Sequence, residues 1–110
     1  MVDVIAGLAE VAKKVATATE AVNSDGGSSP VLKAVVNEFE AKSRKAGRVG
    51  DAAQSRDAVI ELEQAGDSAK AAAEGDPGIA AGTRESVLDA HLAICLLKQA
   101  SDLDRTVQET

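Results

Sequence analysis

Two side chains with reactive chemistry lie four residues apart in the stretch VLDAHLAICLL, residues 87–97: His91 and Cys95, the one histidine and the one cysteine of the chain. A histidine can accept a phosphoryl group, move a proton or bind a metal; a cysteine thiolate can attack or ligate. Their neighbours in sequence supply neither with a partner set. On a helical wheel Cys95 falls on an apolar core face with Leu88, Leu92, Leu96, Gln99 and Leu103, where burial disfavours the thiolate, and there is no second histidine to act as its base. His91 falls at the boundary between that face and a second apolar face, Val87, Ala90, Ile94 and Leu97. A stable zinc site wants three or four ligands. The carboxylate-bridged di-iron pattern needs Glu three residues before the histidine, where this chain has Leu88. The expectation is no metal, no cofactor and no catalytic residue, with His91 kept as a candidate phosphoacceptor.

Other chemistry-bearing clusters are weaker. Lys42, Arg44, Lys45 and Arg48 place four cations within seven residues, a candidate patch for an anion or an acidic partner. The same cations would complement the carbonyl end of a helix. The carboxylates of Glu38/Glu40, Glu61/Glu63 and Asp102/Asp104 are two apart and point to different sides of a helix, so none is a ready acid–base pair. Gly26-Gly27 lacks the spacing and the lysine of a phosphate loop.

The elements that must position these residues are helices. The 110 residues amount to one domain, 1–110, and 45% are apolar, with Phe39 the only aromatic. Alanine, valine and leucine at helical spacing predict an all-α fold. From Phe39 alone no stacking platform for single-stranded nucleic acid can be built, and a net charge of −6 has the wrong sign for a general nucleic-acid binder. The first fifty residues carry seven Lys/Arg against six Asp/Glu and the rest five against twelve, an asymmetry that can pair the halves within or between subunits. One cysteine permits no internal disulfide, the N-terminus has its aspartate early and its lysines late, unlike a secretory signal, and no apolar run reaches a membrane span. These features point to an acidic, cytoplasmic protein with neither nucleic acid nor membrane as partner.

The periodicity predicts an antiparallel, up-down-up-down four-helix bundle with helices at about 3–23, 30–46, 51–74 and 84–108. The first has a seam of Val4, Leu8, Val11, Val15, Ala18 and Val22 and stops at the Gly/Ser run 24–29. Ser29-Pro30 caps the second, whose stripe is Leu32, Val35, Val36 and Phe39. Asp51 with Gln54 resembles a capping box for the third, whose inner face is Ala52, Ser55, Val59, Leu62, Gly66, Ala69 and Ala73. Glu74-Gly-Asp-Pro-Gly78 is a turn, and Thr83 is the expected N-cap of the fourth helix. The sequence shows no sign of an internal repeat with a fixed period. Two apolar faces on that last helix exceed what three neighbours must cover, so Val87, Ala90, Ile94 and Leu97 are expected to form an association surface in a homo-oligomer.

In size and class a helical bundle with one histidine resembles histidine phosphotransfer domains, which implies His91 as the phosphoacceptor. Those domains follow the histidine with Lys and Gly, whereas His91 is followed by Leu92-Ala-Ile94. The second half, with Gly-Asp-Pro-Gly-Ile-Ala at 75–80 before a long C-terminal helix, resembles short helical rod proteins of bacterial export machines. It departs from them at Leu103-Asp-Arg-Thr-Val107, where they carry an Arg-Asn-Lys-Leu run, and no residue role carries over. The expected function is a non-enzymatic binding or assembly module that self-associates through its C-terminal helix, with phosphotransfer as the alternative.

Overall fold

The computed structural model describes residues 3–48, 50 and 52–109, and places side chains for residues 3–48, 50 and 53–102. Helices α1 (Val4–Ser24), α2 (Pro30–Ala46), α3 (Ala52–Glu74) and α4 (Ala81–Glu109) follow one another. Each packs on its neighbours in ring order, α4 closing back on α1, which makes the up-down-up-down bundle that short connections favour. It measures 49 × 22 × 17 Å. The local start signals act as their chemistry requires: the Asp3 carboxylate accepts from Ala6 N–H at the start of α1, and Ser29 Oγ accepts from Leu32 N–H at the start of α2. Asp51, the expected cap of α3, lies outside the described residues.

The buried positions repeat although the residues do not. In α1 the line Leu8, Val11, Val15, Ala18, Val22 is buried; in α3 it is Val59, Leu62, Gly66, Ala69, Ala73. In α2 it is Leu32, Val36, Phe39, Ser43, Ala46; in α4 it is Thr83, Val87, Ala90, Ile94, Leu97. Every partner stands fifty-one positions from its counterpart. The bundle is thus two helical hairpins of the same register, facing each other across a core centred on Phe39. Few of the paired residues are identical, which is why no repeat shows in the sequence. Among the described residues every buried side-chain nitrogen or oxygen has a hydrogen-bond partner, Thr19 donating to the Val15 carbonyl at 2.8 Å, for example.

The two hairpin turns lock into each other at one end of the bundle. Asp25 Oδ1 accepts from Gly27 N–H in its own turn, and Oδ2 from Ala80 N–H in the other, both at 2.9 Å. Asp76 mirrors this, with Oδ1 accepting from Gly78 N–H at 3.1 Å and Oδ2 from Ser29 N–H at 2.8 Å. Each aspartate therefore satisfies an orphan donor at the start of a helix belonging to the other hairpin. Arg84 adds a clamp, its Nη2 donating to the Asp76 carbonyl.

Helix α4 departs from expectation in two ways. Thr83 is not an N-cap: α4 begins at Ala81 and Thr83 is buried inside its first turn, while Asp25 of the other turn accepts from Ala80 N–H just before the helix. The faces of α4 are also exchanged. Val87, Ala90, Ile94 and Leu97, expected on an association surface, lie in the core. Leu92 and Leu96, expected inside, are exposed, and Leu88 and Cys95 are half-buried. The inward face is the one that fits glycines on neighbouring helices. A Cβ built on Gly7 would meet a Leu97 methyl at 2.5 Å, and one on Gly66 would meet Ile94 at 3.3 Å.

Candidate functional site

Helices α3 and α4 run side by side, and α4 presents His91 and Cys95 one turn apart on the flank that faces α3. Residues four apart on a helix are surface neighbours, so the two side chains meet: Cys95 Sγ lies 3.4 Å from His91 Nε2. The wheel separated them because it assigned Cys95 to the core face; the true core line runs through Ile94, which brings Cys95 round beside His91. From α3, Asp67 completes the cluster, with Nε2–H of His91 donating to its Oδ1 at 2.6 Å. One donor atom from each of the three residues lies within 4.8 Å of the others. The His91 side chain is 15% exposed and the Asp67 side chain 60%, so the cluster sits at the rim of the bundle with one open side.

The space for the imidazole comes from Gly66. A Cβ at that position would stand 3.3 Å from His91 Cδ2 and 3.2 Å from Phe39 Cζ. At the matching position of the first hairpin α1 carries Val15, and the counterparts of His91 and Cys95 are Glu40 and Arg44, which form an ordinary ion pair. The second hairpin therefore differs from the first at the positions that build this cluster.

Its electrostatics are negative. Burial first, then the charges of Glu63 and Asp67, push the Cys95 thiol above its ordinary range. The resting thiol is protonated and is not an activated nucleophile. Lys98 holds Glu63 at 3.6 Å and reaches Asp102 at 3.7 Å. The phosphotransfer alternative gains no support from this geometry: a carboxylate rests on Nε2, where it would repel an incoming phosphoryl group.

The remaining candidates are spread out. Lys42 pairs with Glu38, Arg44 with Glu40, and Lys45 with Glu61 of α3, so three of the four cations of the expected anion patch are matched by carboxylates. Arg48 is exposed beyond the end of α2. A shallow groove of about 270 Å³ between α1 and α4 is lined by Glu10, Lys13, Lys14, Thr17, Ser86 and Asp89. None of these is buried, unlike the polar groups that converge in an enclosed pocket. Among the described residues no helix is long and apolar enough to cross a membrane.

Comparison with protein-family models, with curated proteins and with solved structures finds no match to this chain. Asp67 is not legible from spacing because it lies on another helix, twenty-four residues from His91 in sequence. The signal present in the sequence is the His-x-x-x-Cys spacing itself, which on any helix makes the two residues neighbours.

Proposed function

We propose that the chain is a non-enzymatic assembly module that pairs with a second copy of itself through the outer face of α4. The observation that carries this is the exposure of Leu92 and Leu96, 54% and 55%, one turn apart on the same side of the helix, with half-buried Leu88 one turn before them. Single exposed apolar residues are common, whereas a contiguous line marks a contact. A two-fold contact uses the same patch from both copies, so each leucine is buried twice per dimer. Each is already about half covered, so burying the remainder contributes about half of the roughly 1.5–3 kcal/mol of a fully exposed leucine. The long side of the bundle, 49 Å by 22 Å, has room for the roughly 800 Å² per partner of a stable interface. The charge of −6 on each chain opposes pairing, so added salt strengthens association by screening it; an oppositely charged partner would show the reverse.

Sedimentation or light scattering tests the proposal. The expected result is a dimer whose population rises with salt, and a helical monomer for the Leu92→Asp/Leu96→Asp variant. A wild-type chain that stays monomeric at its highest soluble concentration refutes it. Ile94→Asp serves as the contrast: Ile94 is fully buried, so this change unfolds the chain rather than dissociating it.

A further inference from the structure

We propose that Asp67, His91 and Cys95 bind a thiophilic divalent metal ion, zinc foremost, as a three-ligand site with its fourth position open to solvent. The inference rests on geometry within one chain and is independent of self-association.

The donor set is one sulfur, one imidazole nitrogen and one carboxylate oxygen, the three ligand types zinc accepts. Sulfur and imidazole select against magnesium and calcium, which take oxygen ligands. With bonds of about 2.3 Å to sulfur and about 2.0–2.2 Å to nitrogen and oxygen, tetrahedral donors stand about 3.2–3.7 Å apart. Sγ and Nε2 are already 3.4 Å apart. Nε2 and Oδ1, now hydrogen-bonded at 2.6 Å, must separate by about 0.7–0.9 Å to admit the ion. The exposed Asp67 carboxylate can swing by that much, while the helix backbone holds His91 and Cys95 in place.

Charge balances as well. On binding, the thiol proton leaves to buffer and the Nε2 proton is replaced by one on Nδ1. The ligands then carry one thiolate, one carboxylate and one neutral imidazole, and their two negative charges match a divalent cation. Phe39 and Ile94, packed beside Gly66 and the ring, provide the apolar backing that limits water access on the inner side. The second observation is the break in the repeating pattern. Glycine stands where the first hairpin has Val15, and a His/Cys pair where it has Glu40 and Arg44.

Cobalt titration of the purified reduced chain, followed by zinc competition, decides the matter. The expected result is one cobalt per chain, a thiolate-to-cobalt charge-transfer band in the near ultraviolet, and displacement of the cobalt by zinc. Cys95→Ser removes the band. His91→Gln and Asp67→Asn each weaken cobalt binding about tenfold or more, since even outer-shell partners are worth roughly 10–100-fold. Asp67 is exposed, so its variant keeps the fold, checked by circular dichroism, and remains decisive if His91→Gln unfolds. No charge-transfer band, a band that survives in Cys95→Ser, an unchanged affinity in Asp67→Asn, or one metal per two chains would each overturn the proposal.

Discussion

Replacing Gly27 by alanine strikes the point where the two hairpins touch backbone to backbone. A Cβ there would stand 1.7 Å from the Gly78 carbonyl oxygen and 2.6 Å from its carbonyl carbon, whereas ordinary contact begins at 3.4 Å. Neither glycine has a positive φ, so alanine can adopt the backbone conformation and the cost is steric. No side chain can rotate away. The turns must part by well over an ångström, yet they are tied by Asp25 to Ala80 N–H and by Asp76 to Ser29 N–H. Overpacking costs about 1–3 kcal/mol, occasionally more, and two facing backbones put this site at the upper end. Against that stands about 0.4–1 kcal/mol gained by restricting the unfolded chain. Gly26→Ala is the matched control, because nothing lies within 4 Å of its Cβ and it collects the gain alone. The expected difference between the two variants is about 2–3 kcal/mol, or about 8–12 °C in melting temperature at roughly 4 °C per kcal/mol for a chain of this size. Urea unfolding followed by far-ultraviolet circular dichroism measures it. If Gly27→Ala were as stable as Gly26→Ala, the close turn contact would play no part in holding the hairpins together.

Acid should expose the same lock. Asp25 is held below the ordinary carboxylate range by the N–H groups of Ala80 and Gly27 and by the Thr83 hydroxyl. Asp76 is held there by Ser29 N–H, which outweighs burial, with help from Gly78 N–H. Folded values below unfolded ones mean stability that is complete above about pH 4 and is lost as pH falls from there through the folded values. Asp25→Asn/Asp76→Asn should flatten the acid limb of a stability-against-pH curve, and a limb as steep as wild type would count against the lock. Phe39→Ala should cost about 3–5 kcal/mol, because Phe39 is the largest fully buried side chain; chemical denaturation reads this directly, and a loss under 1 kcal/mol would mean Phe39 is not the centre of the core.

The first three helices were legible because each has one apolar line and clear punctuation. Leu8, Val11, Val15 and Val22 in α1, Leu32, Val36 and Phe39 in α2, and Val59 and Leu62 in α3 are all buried as their spacing requires. Helix α4 was legible as a helix but not in its orientation. It carries two apolar lines, and hydrophobicity alone favours the one richer in leucine. The bundle instead turns in the line that fits Gly7 and Gly66, with Asp25 setting the start of the helix from the other hairpin. The candidate site inherited that error: once Ile94 faces inward, Cys95 and His91 share a flank, and Asp67 arrives from a helix twenty-four residues away in sequence.

Periodicity and punctuation thus determined on their own that this chain is four helices in antiparallel order, since both are local properties of the backbone and of apolar spacing. Which face of α4 is enclosed, how the two turns cap each other's helices, and that one histidine, one cysteine and one aspartate converge were decided only by tertiary structure. Each depends on close packing between segments distant in sequence, and no spacing within a single helix encodes the shape of the surface it will meet.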